Sequence, residues 1–170
     1  MAALIVYYSR AGENYFCGAL RRVQTGNTEI AAQMIHSLTG APLFKIEPLY
    51  PYSDSYNDCI AEAQADQRAG ARPELKACPE NLDGYDEIYL GYPNYWGTMP
   101  MAVFAFLERY DLSGKVIHPF CTHEGSGLSH TVQDIQKAAP GARVTKGLAI
   151  HGSSVDGVKP ALETWIREVH

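Results

Sequence analysis

Apolar segments of two kinds alternate along this chain, and that alternation constrains the fold more than any other feature. Short runs rich in Val, Ile, Leu and aromatic residues occur at Ala3–Tyr8, Pro42–Ile46, Glu87–Tyr92, Val116–Thr122 and Val144–His151. Segments with helical spacing lie between them. Glu29–Leu38 carries Ile30, Met34, Ile35 and Leu38 on one face and stops at Gly40. Further helical stretches cover Ser55–Ala69, the run MAVFAFLERY after Pro100, Ser129–Ala139 and Val158–Val169.

Strands and helices in strict alternation predict a parallel sheet with helices on both faces. The strands are apolar almost throughout, as burial on both sides requires. The expected fold class is therefore α/β, with a doubly wound five-stranded parallel sheet. No linker, repeat or low-complexity tract interrupts the pattern, so residues 1–170 read as one domain. The formal net charge of -5, with no basic stripe, argues against nucleic acid as a partner. The N-terminal apolar run is too short to span a bilayer and carries no basic leader, so a cytoplasmic protein with no membrane partner is expected. Cys17, Cys59, Cys78 and Cys121 show no paired metal-ligand spacing, and no metal site is expected.

In a doubly wound sheet the ligand sits at the carboxyl ends of the strands, near the point where strand order reverses. Three loops there carry chemistry. After the first strand, Ser9 is followed by the long stretch AGENYFCGALRRVQ, and only then by Thr25-Gly26-Asn27-Thr28 at the start of a helix. Thr or Asn there would cap the helix, whose free N–H groups attract an anion, and Ser9 could reach the same oxygens. An isolated TGNT is more often a plain cap, and Ser9 shifts that weighting. The intervening stretch reads as an inserted hairpin turning near Cys17-Gly18, with Arg21 and Arg22 more readily solvated than folded back on a phosphate.

After the third strand comes GYPNYWGTMP, in which Trp96 could wall a flat heteroaromatic ring and Gly97 bring backbone to its edge. Core packing of Tyr95 and Trp96 explains the same residues equally well. After the fourth strand comes THEGSGLSH, a flexible turn rich in N–H groups. Together the loops suit a ligand with a phosphate tail and a flat ring, which FMN fits best. The tyrosine-dense loop LYPYSDSYND reads slightly better as a covering loop, capping the next helix through Ser53 or Asp54, than as a second rim of the pocket.

LIVYYS, the GNT opening the first helix, YPNYWGTMP and THEGSG resemble the short-chain flavodoxin-like family, over nearly the whole chain. That resemblance implies the strand order 2-1-3-4-5 and FMN as cofactor. It places Ser9, Asn27 and Thr28 at the FMN phosphate, with Arg10 and Thr25 beside them. It also places Pro93, Asn94, Tyr95, Trp96 and Gly97 along the isoalloxazine, and Thr122, His123, Glu124, Gly125 and Gly127 around the ring. The departure from the family is the stretch between Ser9 and Thr25, where usual members need only a few residues.

The implied activity is low-potential electron transfer, with a backbone carbonyl near Gly97 accepting a hydrogen bond from the flavin N5–H. Redox partner proteins or a small quinone-like acceptor would be served by a monomer or homodimer. An FMN-dependent NAD(P)H:quinone-type oxidoreductase is the alternative. A response-regulator-like phosphoacceptor needs an acidic cluster where this chain has Ser-Arg-Ala, and is rejected. His36, His118, His130, His151 and His170 have no evident partners in the sequence and read as structural or exposed.

Overall fold

The computed structural model describes residues 2–170. Its main sheet takes β1 (Ala3–Tyr7), β4 (Leu43–Lys45), β5 (Glu87–Pro93), β6 (Val116–His123), β7 (Arg143–Val144) and β8 (Leu148–His151). All pairings are parallel, in the order β4-β1-β5-β6-β7, with β8 also on β6. That is the expected order 2-1-3-4-5, except that the fifth strand is broken.

The break has a local cause. Ile117 pairs with Val144 and Phe120 with Leu148, so three residues of the fifth strand stand opposite two of β6. One of those two is Pro119, which has no N–H for the ladder.

Period-two alternation sends successive β1 side chains to opposite faces. Leu4 and Val6 join Ile88, Leu90, Val103, Phe106 and Ile135 in one core, under α3 (Met101–Arg109) and α4 (Thr131–Ala138). Ile5 and Tyr7 join Ala31, Ile35, Tyr89, Phe120, Leu162 and Trp165 in the other, under α1 (Asn27–Thr39) and α5 (Lys159–Glu168). The remaining helix, α2 (Tyr56–Ala69), buries only Cys59 and Ala63 and lies against α3. No helix among the described residues is long and apolar enough to cross a membrane.

The stretch after Ser9 is an antiparallel hairpin of β2 (Gly12–Phe16) and β3 (Ala19–Val23). Cys17 and Gly18 turn it with φ of 46° and 88°, the positive pair that a two-residue type I′ turn demands. A 3-10 turn over Gly152–Gly157, which the sequence pattern did not suggest, precedes α5.

Candidate functional site

The hairpin leaves and returns at one point. A Cβ placed on Gly26 would stand 2.3 Å from Ser9 Oγ and 2.5 Å from the Arg10 carbonyl oxygen, so only glycine lets the two arms meet. Ser9 and Thr25–Thr28 are thereby two halves of one loop. The cap differs from the expected one. Gly26 is the N-cap of α1 and makes no side-chain cap bond. Ser9 Oγ instead accepts the N–H of Glu29 at 3.0 Å. The N–H groups of Asn27 and Thr28, at the helix start, have no carbonyl to reach within the helix. Thr28 is buried, and its hydroxyl pairs with that of Thr122 at 2.7 Å.

Next to this loop lies a cavity of about 380 Å³. Of the residues expected at the site, Asn27, Pro93, Asn94, Tyr95, Trp96, Gly97, Thr122, His123 and Glu124 line it. Thr25, Thr28, Gly125 and Gly127 stand outside the lining, and Ser9 and Arg10 line a separate, neighbouring cavity. Arg10 is bound elsewhere: its guanidinium donates to the carbonyls of Glu13, Ser53 and Asp54 and to Asn14 Oδ1. It thus fastens the hairpin to the tyrosine-rich loop. Arg22, exposed, pairs with Asp54, and Arg21 lies over the Phe16 ring at 4.8 Å.

The aromatic wall is itself a small turn. Tyr95 and Thr98 form an antiparallel bridge, with Trp96 and Gly97 between them at φ of 55° and 84°. A bulky aromatic rarely occupies that region. Three contacts hold it there. Gly97 N–H donates to Asn94 Oδ1 at 2.9 Å, Trp96 Nε1–H to the Ile60 carbonyl at 2.8 Å, and Gln67 to the Trp96 carbonyl at 3.3 Å. The ring stays 48% exposed, so much of its surface can take a ligand. Asn94 spends its amide on Gly127 O (2.9 Å) and Ser129 Oγ (3.0 Å), which ties the loop after β5 to the loop after β6.

In that second loop, His123 Nδ1 accepts the Gly125 N–H at 2.9 Å. The neutral ring therefore carries its proton on Nε2, as a free donor. Burial, reinforced by His151, lowers the His123 pKa and favours that neutral form. Glu124 accepts from Ser153 Oγ at 2.9 Å and from the Cys17 N–H at 3.5 Å, with His151 Nδ1 at 3.5 Å. The carboxylate thus joins the hairpin tip to the far side of the cleft.

Asn14, Tyr15, Tyr56, Cys59, Ile60, Ala63 and Ser126 also line the cavity. The tyrosine loop is accordingly divided in role. Tyr50 is exposed, Tyr52 donates to Asp66, and Tyr56 stacks on Tyr15 of the hairpin with centroids 5.9 Å apart. Neither Ser53 nor Asp54 caps α2; the Glu13 carboxylate accepts the Tyr56 N–H at 2.9 Å. The histidines also find partners: His36 bonds the Ala41 carbonyl, while His118 and His170 both meet Glu87.

Comparison with protein families matches residues 20–169 to a flavodoxin family model, and the chain belongs to that family. Comparison with curated proteins finds no match. Among solved structures, a candidate flavoprotein from Bacteroides uniformis is 26% identical, with 95% of this chain and 97% of that one covered and a TM-score of 0.76. A second, from Bacteroides eggerthii, is 23% identical over 99% of this chain and 97% of that one, with a TM-score of 0.76. A flavoprotein from Lactobacillus acidophilus, solved in complex with FMN, is 22% identical over 92% of this chain and 97% of that one, with a TM-score of 0.67.

Proposed function

We propose that this member of the flavodoxin family binds FMN non-covalently in the cleft and transfers electrons through it to redox partner proteins. The observation that carries the reading is that one cavity meets both the amino end of α1 and the aromatic turn around Trp96. The donor set suits a phosphate. Asn27 and Thr28 offer N–H groups at a positive helix end. Ser9, whose oxygen already accepts from Glu29, keeps its own proton to give. The other end of the cleft suits a flat heteroaromatic ring. Trp96, Tyr15 and Tyr56 supply faces, His123 Nε2–H supplies a donor for a ring oxygen, and the Trp96-Gly97 turn supplies backbone at the edge.

Bound FMN supplies the redox chemistry. The protein positions it, limits water around it and holds Glu124 among the residues of the cleft. The net charge of -5 has the sign that attracts basic partner surfaces but is modest for that role.

The second reading is an FMN-dependent NAD(P)H:quinone-type oxidoreductase, favoured by the hairpin, which adds Asn14 and Tyr15 as a further wall. The test is steady-state oxidation of NADH and NADPH by the FMN-loaded protein with a soluble quinone. Electron transfer as the main role predicts turnover below the ~1 s⁻¹ at which ordinary enzymes begin. Faster turnover overturns that role in favour of the oxidoreductase.

A further inference from the structure

Among the described residues, one cluster of metal-ligating side chains lies outside the cleft. Glu87 opens β5, His118 lies within β6 and His170 follows α5, so the cluster stands at the amino ends of the strands, opposite the cleft. Glu87 and His118 are buried and His170 is 38% exposed. His118 Nε2 is 3.0 Å from Glu87 Oε1, and His170 Nε2 is 2.8 Å from the same oxygen.

The other ring nitrogens determine what those contacts mean. His170 Nδ1 is 2.7 Å from the carbonyl oxygen of Ile166. A carbonyl only accepts, so Nδ1 carries the proton and Nε2 of the neutral ring is a bare lone pair. His118 Nδ1 is 2.7 Å from Thr145 Oγ1, whose own proton is directed to the Ile117 carbonyl at 3.3 Å. With that hydroxyl proton on the Ile117 carbonyl, His118 Nδ1 is the donor to Thr145 and Nε2 faces Glu87 as a second lone pair; with the hydroxyl proton on Nδ1, Nε2–H donates to Glu87 instead. In the first arrangement two ring lone pairs and a carboxylate oxygen converge; in either, three ligand atoms meet at one point.

A cation resolves such a convergence. Imidazole nitrogens whose opposite N–H is spent on a carbonyl or hydroxyl are what metal-binding histidines present. Two imidazoles and one carboxylate form the donor set of three-ligand sites for zinc and its neighbours in the first transition row. A dry aromatic shell surrounds them. Tyr89 lies 5.0 Å and Trp165 6.4 Å from the His118 ring, centroid to centroid, and both are buried. On the His170 side, Glu87 and His170 border a cavity of about 430 Å³ that also reaches Ala2, Gly40 and Tyr85.

We propose that Glu87, His118 and His170 bind a divalent transition-metal ion, with Zn²⁺ as the natural probe, at the end of the sheet opposite the flavin cleft. The ion would clamp the chain beyond α5 to the start of β5 and leave a coordination position for water from the cavity. This inference does not depend on FMN. A second proton on each imidazole would answer the same conflict, and the test separates the two.

The full chain is freed of metal by dialysis against a chelator and titrated with Zn²⁺ by calorimetry and with Co²⁺ by visible absorption. The result expected is one equivalent bound, with His170→Ala lowering the affinity about 100-fold or more and abolishing the Co²⁺ absorption bands. Thr145→Val, which removes the partner that orients His118, is expected to weaken binding by about 10- to 100-fold. His170 is half outside the core, so its variant keeps the fold, and far-UV circular dichroism checks this. Absence of saturable binding by the wild type overturns the proposal. So does binding that survives His170→Ala at unchanged affinity.

Discussion

The hydroxyl of Thr28 lies 2.7 Å from that of Thr122, a residue 94 positions later in the chain. Both are buried. One stands in the first turn of α1 and the other near the carboxyl end of β6, so this single bond fixes the loop after β1 against the loop after β6.

Replacing either threonine by valine leaves the other hydroxyl buried without its partner. Each single change is expected to cost about 1–3 kcal/mol in urea unfolding. The double variant is expected to cost less than the sum, by about 0.5–3 kcal/mol. Strict additivity would show that the two hydroxyls do not support each other.

Gly97 has φ of 84° and nothing within 4 Å of an added Cβ. The penalty for Gly97→Ala is therefore conformational and not steric, about 1–2 kcal/mol. Urea unfolding measures it, and a neutral result would mean that the turn carrying Trp96 adopts another backbone.

The two arginines that hold the hairpin differ in weight. Arg10 is half-buried and satisfies backbone carbonyls of the hairpin and of the tyrosine-rich loop, whereas Arg22 and Asp54 form an exposed pair. Arg10→Ala strands those carbonyls. It is expected to lower the hydrogen-exchange protection of the hairpin amides by about 1–3 kcal/mol. Arg22→Ala is expected to leave it nearly unchanged, because an exposed pair is screened by water. Equal effects would contradict the assignment of Arg10 as the fastening residue.

The lowered pKa of His123 has a definite sign in stability. Burial, with His151 nearby, holds the folded imidazole neutral at a pH where the unfolded one already takes a proton. As pH falls below the ordinary histidine value near 6.5, the unfolded chain binds the extra proton and stability falls. The loss levels off once pH passes below the folded value. Protonation also removes the acceptor that His123 Nδ1 offers to Gly125. Urea midpoints at pH 7.5 and 5.5 are expected to converge in His123→Gln relative to wild type. An unchanged difference would assign the pH dependence to other groups.

Much of this arrangement was legible in the residue pattern, and the rest was not, for physical reasons. Alternating strand and helix periods point to a parallel sheet covered on both faces, whereas the strand order comes only from the resemblance to the family. The hairpin was visible in the Cys17-Gly18 turn between two strand-length runs. Its role was not visible, since the Arg10 bonds and the Tyr15–Tyr56 stack join residues about forty positions apart. Capping of α1 by Ser9, 20 residues before Glu29, evades any local rule for helix starts. The broken fifth strand could have been suspected from Pro119 in its neighbour. Glu87, His118 and His170 have no metal-ligand spacing and are brought together only by the sheet and the last helix.

Titration of the apo-protein with FMN, followed by flavin fluorescence, decides whether Ser9 and Trp96 mark two ends of one FMN site. Wild type, Ser9→Ala, Trp96→Ala and Arg22→Ala are compared. Saturable quenching is expected for wild type and Arg22→Ala at equal affinity. Binding about 10- to 100-fold weaker is expected for Ser9→Ala, from loss of a hydrogen bond to a charged group. A similar loss is predicted for Trp96→Ala, from loss of stacking on a flat ring. No binding by wild type at micromolar FMN, or affinity that neither Ser9→Ala nor Trp96→Ala alters, would contradict such a site.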